Sequence, residues 1–225
     1  MKKYLILLIF ICISNHCLSQ INEIGFFIGG VNYVGDVGPT NYIQPRSPGM
    51  SILYKYNLNP RIAIRGSFSN FSISGDDANS ENTIRQQRGY SFKNPIKEIA
   101  VGIEYNFYEY DSSSKNKGST PYILLQVAPL DYETPRLKNT DNSFKFTRNT
   151  SISVPFGLGF KTRLFEKIAF AIETTFRYTF TDKLDYTTSQ FPELDFGGTS
   201  NDWYMFSGVS LVYTFGRPAC FADLR

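Results

Sequence analysis

The segment Ile96–Tyr108, IKEIAVGIEYNFY, decides the fold that we predict for this chain. Side chains along a β-strand point alternately to opposite faces. One face of this segment is apolar, and the other is small, polar or charged. The apolar face carries Ile99, Val101, Ile103, Tyr105 and Phe107, and the other face carries Glu98, Ala100, Gly102, Glu104 and Asn106. The pattern lasts for about eleven to thirteen residues. A strand of about five or six residues suffices in a soluble sheet, whereas a tilted strand needs about nine to eleven to cross a bilayer. The length of this segment therefore favours a strand that crosses a membrane.

Seven other segments extend this pattern over the whole chain. They are Glu23–Tyr33, Gly49–Tyr56, Arg61–Ser72, Thr120–Leu130, Ser151–Leu164, Lys167–Tyr178 and Trp203–Phe215. Long polar loops are expected at 75–94, 131–149 and before Trp203, and they alternate with short turns such as Asn57–Pro60 and Phe165-Glu166. Short turns alternating with long loops are typical of outer-membrane barrels. We predict an all-β, eight-stranded, antiparallel up-and-down transmembrane β-barrel with both termini in the periplasm.

Aromatic residues near the predicted strand ends favour the same interpretation. Tyr54, Tyr56, Tyr105, Phe107, Tyr213 and Phe215 would form one rim, and Tyr178 and Trp203 the other. Such girdles mark the two membrane interfaces. The alternatives are a secreted β-sandwich and a soluble lipocalin-like barrel, both of which would turn the apolar faces inward.

The first nineteen residues have the features of a cleaved secretory signal peptide. Lys2 and Lys3 precede the apolar stretch Leu5–Ile13, and Cys17-Leu18-Ser19 resembles a cleavage site. Nine apolar residues are too few for a membrane-spanning helix. We therefore divide the chain into a signal peptide (1–19), an outer-membrane barrel (20–215) and a periplasmic tail (216–225).

Cleavage at this site would remove most of the residues on which catalysis or metal binding commonly depends. Cys12, Cys17 and the sole histidine, His16, lie in the signal peptide, and Cys220 is the only cysteine after it. An internal disulfide and the usual zinc sites are then excluded. We expect no cofactor and no enzyme activity, because hydrolytic barrels generally use histidine as the general base. The mature chain has 21 basic and 20 acidic residues, and this balance argues against a nucleic-acid partner.

Charged side chains recur on the face that would line the barrel interior. They are Lys55, Arg65, Glu98, Glu104, Lys161, Arg163, Glu173 and Arg177. We interpret them as a structural network of opposite charges that fills a narrow lumen. The alternative is a pathway for small ions or a proton-coupled gate.

Two segments outside the strands are candidate contact surfaces. The tail contains Arg217, Pro218, Cys220 and Phe221, which either contact a periplasmic partner or have no specific role. The segment Arg85–Pro95 is either a solvated loop, a lipopolysaccharide contact or a plug.

Four segments resemble the PorG-like outer-membrane barrels of the Bacteroidetes type IX secretion system. They are GGVNYVGDVGPT (29–40), LYKYNLNPRIAIRGSF (53–68), RGYSFKNPIKEIAVGIEYNFYEY (88–110) and VYTFGRP (212–218). The resemblance extends over essentially the whole mature chain. It implies a role in protein secretion and gliding, with a periplasmic ring lipoprotein and its partner subunit as partners, beside the outer-membrane lipids. The alternatives are a small pore and an adhesin or envelope-integrity barrel.

Overall fold

The computed structural model describes residues 21–39, 41, 43–110, 118–139, 143–196 and 200–216. Within these ranges eight antiparallel strands close into one barrel, each paired with its sequence neighbours and β1 with β8. The strands are β1 (Ile21–Val34), β2 (Ser47–Asn57), β3 (Ile62–Asp76), β4 (Ser91–Asn106), β5 (Ser119–Lys138), β6 (Phe144–Phe165), β7 (Ile168–Thr179) and β8 (Trp203–Gly216). The predicted barrel topology is confirmed. The predicted signal peptide lies outside the described residues, and so do residues 217–225 of the tail.

The barrel has two dissimilar ends. The connections β1–β2, β3–β4, β5–β6 and β7–β8 lie at one end, which we call the loop end. The other three connections, the start of β1 and the end of β8 lie at the opposite end, which we call the turn end. Among the described residues, no helix has the length and apolarity needed to cross a membrane.

The alternation in β4 sorts its side chains between the outside and the inside of the barrel. On the outer face Ile99, Val101 and Ile103 are more than half exposed, at 56, 57 and 55%. On the inner face Glu98 and Glu104 are almost completely buried. Since the apolar face points outward, the sandwich and the lipocalin-like barrel are both wrong alternatives for this chain.

The strands β5 and β6 extend well beyond the predicted boundaries. The prediction of a polar loop from 131 to 149 was wrong, because β5 continues to Lys138 and β6 begins at Phe144. Continuous pairing joins Asp131 to Thr150 and Lys138 to Phe144, with an irregularity between Pro135 and Leu137. The extension projects past the neighbouring strand β7, whose pairing with β6 starts at Ser153. The extension has no continuous apolar outer face, so the sequence of this region lacks the alternation that identified the other strands.

The connection between β3 and β4 is shorter than predicted. Instead of a loop from 75 to 94, β3 reaches Asp76 and β4 starts at Ser91. Between them lie a single 3-10 turn (Asp77–Asn79) and a short α-helix, α1 (Thr83–Arg88). The side chain of Asn82 accepts a hydrogen bond from the backbone amide of Ile84, and Gly89 ends the helix in the left-handed conformation. These are standard signals for the start and the end of a helix.

An apolar layer fills the interior towards the loop end. The ring of Phe206 lies 4.7 Å from that of Phe27 and 5.4 Å from that of Phe71. Nearer the mouth, the ring of Phe92 packs edge-on against Tyr33 at 5.0 Å. The alternation rule alone did not predict this layer, because β1 and β3 carry apolar side chains on both faces.

Candidate functional site: the barrel interior and its mouth

All eight charged residues proposed for the lumen are buried inside the barrel. None of Lys55, Arg65, Glu98, Glu104, Lys161, Arg163, Glu173 and Arg177 is more than 5% exposed. The structure adds three buried polar residues that the sequence analysis did not select: Glu23, Tyr122 and Tyr204. The signal for them was present, since each lies at a position of inward parity on its strand.

Glu104 on β4 is the centre of the lower charge cluster. Its carboxylate accepts hydrogen bonds from the ammonium groups of Lys55 on β2, at 2.9 Å, and Lys161 on β6, at 2.7 Å. The guanidinium of Arg65 approaches its second oxygen at 3.4 Å. Side chains from four strands therefore converge in one cluster around this carboxylate.

A second contact joins opposite walls of the barrel. Arg65 on β3 forms a bidentate ion pair with Glu173 on β7, in which Nη2 lies 3.0 Å from Oε1. The hydroxyl of Tyr122 donates to the same carboxylate at 2.6 Å. In an eight-stranded ring, β3 and β7 lie diametrically opposite one another. The ion pair therefore crosses the lumen.

Glu98 forms a separate cluster nearer the loop end. Arg177 donates through Nε to both of its oxygens, at 3.0 and 3.2 Å, and the hydroxyl of Tyr204 donates at 2.6 Å. Ser153 donates to one of these oxygens at 3.2 Å. Tyr204 lies on β8, opposite β4, so that this cluster is also a contact across the lumen.

At the turn end Lys161 and Arg163 both lie near an aromatic side chain. The ring of Tyr110 is 4.5 Å from the ammonium of Lys161 and 5.5 Å from the guanidinium of Arg163. Tyr110 itself is buried, and its backbone amide donates to the carbonyl of Pro60 at 3.0 Å. Glu23 accepts a hydrogen bond from the side-chain amide of Asn57 at 3.0 Å.

The interior charges serve as partners for one another. A buried charge is tolerated when an opposite charge and hydrogen bonds compensate its desolvation. Five cations face four carboxylates in this region once Glu23 is included. Glu98, Glu104 and Glu173 each pair with at least one of these cations, and Glu23 accepts from Asn57. Among the described residues, no group of acidic side chains is arranged to hold a metal ion.

The mouth at the loop end contains buried carboxyl groups that the sequence analysis missed. The hydroxyl of Tyr33 on β1 contacts Asp202 closely and lies 3.1 Å from Asp185, both on the β7–β8 connection. Burial, with the nearby charges of Asp36 and Asp185, raises the pKa of Asp182 to about 6. Burial also raises the pKa of Asp185 and Asp202. No pattern in the sequence brings Tyr33 together with residues 152 and 169 positions away.

The segment Arg85–Pro95, for which a solvated loop, a lipopolysaccharide contact and a plug were the alternatives, lies partly on the surface and partly inside the mouth. Arg88 forms an ion pair with the buried Asp77 at 2.6 Å and donates to the carbonyl of Asp36. Burial alone would raise the pKa of Asp77, but its hydrogen bonds with Arg88, Gly38 and Tyr90 outweigh burial and lower it. The ring of Phe92 enters the interior. The hydrogen bond from Arg88 to Asp36 joins the β3–β4 connection to the β1–β2 connection.

One family model matches nearly the whole chain. The model is described as a domain of unknown function, DUF6089, and it matches residues 2–223. The chain belongs to the DUF6089 family.

Among curated proteins, this DUF6089 chain matches a probable serine/threonine-protein kinase, gdt9, of Dictyostelium discoideum. The two are 31% identical over 103 residues, which cover 41% of this chain. The match spans about 6% of the kinase. With so little of that protein covered, its named activity is not evidence about the DUF6089 barrel.

Solved barrels of the same architecture are structurally similar to the DUF6089 chain. Neisserial surface protein A is 9% identical, with a TM-score of 0.50, over 87% of this chain and 96% of that one. A major outer membrane protein from Thermus thermophilus is 10% identical, with a TM-score of 0.50, over 88% of this chain and 100% of the other. At such identities the likeness concerns the fold.

The residues proposed for a partner contact in the tail of this DUF6089 protein are Arg217, Pro218, Cys220 and Phe221. They lie outside the described residues, and their role stays a prediction.

Proposed function

We propose that this DUF6089 protein spans the outer membrane of a Gram-negative cell, with the turn end and both termini in the periplasm. The band of exposed apolar side chains supports this, because an outer surface of this kind is favourable against lipid. Ile103 on β4, Phe156 on β6 and Leu211 on β8 belong to the band. The names of the similar barrels from Thermus and Neisseria agree with such a location.

The function we infer is structural, with no catalysis and no open channel. The ion pair between Arg65 and Glu173 carries this inference, because it occupies the middle of the lumen and joins opposite walls. The commonest general base is missing from the predicted mature chain, since the only histidine, His16, lies in the predicted signal peptide. A filled barrel acts through its two ends and its lipid-facing surface.

The finer assignment is to the type IX protein secretion and gliding machinery. In this proposal the barrel anchors or organises the periplasmic ring formed by a lipoprotein and its partner subunit. Support comes from the resemblance of the segments 29–40, 53–68, 88–110 and 212–218 to the PorG-like barrels. In this proposal the surfaces offered to the ring are the turn Asn57–Pro60, the segment Asp111–Ser119, the turn Phe165-Glu166 and the tail.

The test is affinity capture of tagged protein from mild-detergent extracts of outer membranes. Three forms are compared: the full-length chain, a chain ending at Gly216, and a chain in which residues 217–225 are replaced by glycine and serine of equal length. We expect the full-length chain to capture the ring lipoprotein and its partner, and both altered forms to lose them. Equal barrel recovery, measured by heat-dependent gel mobility, controls for faulty assembly.

Two outcomes would change the proposal. If all three forms capture the ring equally, the contact lies in the turns and the proposed role of Cys220 and Phe221 is wrong. If the full-length barrel is recovered without ring proteins, the secretion role is wrong.

A second candidate, surface binding by an adhesin-like barrel, is favoured by the extension of β5 and β6 beyond the barrel rim. Deletion of residues 77–90, which form a neighbouring loop, distinguishes the two roles. The secretion role predicts that this deletion changes neither secretion nor the binding of cells to surfaces. An adhesin-like role predicts that surface binding is lost while secretion is unaffected.

A further inference from the structure

A polar cleft lies at the loop end, between the β5–β6 hairpin and the β7–β8 connection. Its volume is about 500 Å³, within the roughly 300–1,000 Å³ typical of small-molecule sites. Five threonines, one asparagine and one glutamine line it, together with Arg136 and Lys183. The secretion role proposed above does not involve this cleft.

The hairpin directs Arg136 into the cleft by an irregularity in its register. Pro135 pairs with Phe146 and Leu137 pairs with Lys145, so that Arg136 is an extra residue on β5. An extra residue of this kind is a β-bulge, which redirects the neighbouring side chains. Consistent with this, the consecutive residues Thr134, Pro135 and Arg136 all line the cleft.

The opposite wall of the cleft is held in place against the hairpin. The ring of Tyr186 lies 4.7 Å from that of Phe146, and the ring of Phe191 lies 5.2 Å from that of Phe144. The backbone amide of Thr187 is fixed by a hydrogen bond to Asp185 at 2.9 Å. The cleft therefore exists before any ligand binds, which lowers the entropic cost of binding.

The charges around the cleft favour an anion. Arg136 and Lys183 are both exposed, and in the part of the chain that the structure describes neither forms an ion pair. None of the described lining residues is acidic. Several nearby carboxylates have other partners: Asp131 and Glu133 pair with Arg148, and Glu193 pairs with Lys138. Asp185 accepts hydrogen bonds from Tyr33 and from the backbone amide of Thr187, and neither Asp185 nor Asp182 lines the cleft.

The uncharged lining residues favour a ligand rich in hydroxyl groups. A threonine hydroxyl both donates and accepts hydrogen bonds, and the amides of Asn149 and Gln190 provide both functions as well. A lining of this composition matches sugar hydroxyls better than it matches an apolar peptide side chain. We propose that the cleft binds an anionic saccharide, with its phosphate or carboxylate placed between Arg136 and Lys183.

Such a ligand could be part of the outer leaflet or dissolved in the medium. The phosphorylated sugars of lipopolysaccharide and a soluble sugar phosphate share the chemistry that the cleft would recognise. The source is distinguished by the choice of membrane in the experiment.

The test uses the full chain in nanodiscs that contain only phosphatidylcholine, with glucose 1-phosphate as the probe and glucose as the uncharged control. We expect saturable binding of the phosphorylated probe, and a loss of about tenfold or more in affinity for each of Arg136→Gln and Lys183→Gln, since each removes a charge-assisted hydrogen bond. Lys145→Gln is the matched control, because Lys145 is an exposed cation on the same hairpin that does not line the cleft. It should leave the affinity unchanged.

The proposal is overturned if the probe shows no saturation at concentrations up to about 10 mM, roughly ten times the dissociation constant of a millimolar complex. It is also overturned if Lys145→Gln weakens binding as much as the two cleft variants do. The nanodiscs are then prepared with lipopolysaccharide. If lipopolysaccharide in the nanodisc weakens binding of the probe, the natural ligand belongs to the membrane. If binding of the probe is unchanged, the natural ligand is soluble.

Discussion

Arg65 and Glu173 lie on opposite walls of the barrel and meet as a bidentate ion pair in its centre, with Nη2 and Oε1 3.0 Å apart. Glu98 and Tyr204 form a second such contact at 2.6 Å. A narrow barrel whose walls are joined in this way is filled by its own side chains.

Removal of the Glu104 charge should destabilise the barrel strongly. Glu104→Gln leaves the buried cations Lys55 and Lys161 without their common carboxylate, and the loss of one partner from a buried pair costs about 3–5 kcal/mol. The measurement is urea-induced unfolding in detergent micelles. Glu109→Gln is the control, because the pair between Arg61 and Glu109 is exposed and should contribute less than about 1 kcal/mol. Equal losses in the two variants would contradict this account of the interior.

The absence of a side chain at Gly159 makes room for the ring of Tyr122. A Cβ atom at Gly159 would lie 2.2 Å from that ring, whose hydroxyl is held by Glu173. Gly159→Ala should therefore cost about 1–3 kcal/mol through overpacking. Gly66→Ala is the matched control, because the nearest atom to its added Cβ is 4.0 Å away. Similar unfolding free energies for both variants would show that Tyr122 moves aside freely.

The filled interior should not conduct ions. We expect purified wild-type protein in planar bilayers to produce no steady conductance steps, because the Arg65–Glu173 pair and the Phe27–Phe71–Phe206 layer block the lumen in series. A water-filled porin recorded in parallel shows that the membranes can report a channel. Stable steps that grow with salt concentration would support the pore alternative.

The β7–β8 connection should be more stable at mildly acidic pH. The folded-state pKa of Asp182, about 6, is above its usual value of 3.8. The folded loop therefore binds this proton more tightly than the unfolded chain does, and proton binding stabilises the folded loop. This stabilisation is lost as the pH rises through about 6. Asp185 and Asp202, whose pKa values are also raised, act in the same direction.

Hydrogen exchange of residues 180–196, corrected for intrinsic rates, provides the measurement. We expect stronger protection at about pH 5 than at about pH 7, and Asp182→Asn should reduce the difference. The ion pair between Asp77 and Arg88 stays intact in this window, because the pKa of Asp77 lies below its usual range. Stronger protection at the higher pH would reverse the sign and refute the prediction.

Strict alternation made the strands and the charged interior predictable. Glu98 and Glu104 face inward because Ile99, Val101 and Ile103 face outward, a relationship that the sequence of β4 displays directly. The extended hairpin was missed since its residues have no apolar face to reveal the alternation. The burial of Phe27 and Phe71 was missed because their strands are apolar on both faces.

The mouth and the cleft depend on contacts between distant parts of the chain. The contact between Tyr33 and Asp202 joins β1 to the residue before β8, and Arg136 lines the cleft at a bulge where β5 has one extra residue between Pro135 and Leu137. Both depend on the pairing register of strands and loops that are far apart in the sequence. Local patterns therefore identified the fold but not these sites.

The central claim is that the outer face of the barrel contacts lipid, and a substitution on that face tests it most directly. Ile103 is exposed within the apolar stretch of β4. Ile103→Arg should lower the free energy of unfolding in liposomes by about 2–4 kcal/mol if the side chain lies near the bilayer midplane. Leu58→Arg, in the turn Asn57–Pro60, should have little effect because its exposed side chain lies outside the apolar band. If Ile103→Arg is tolerated as well as Leu58→Arg, the outer face contacts water and the membrane barrel is wrong.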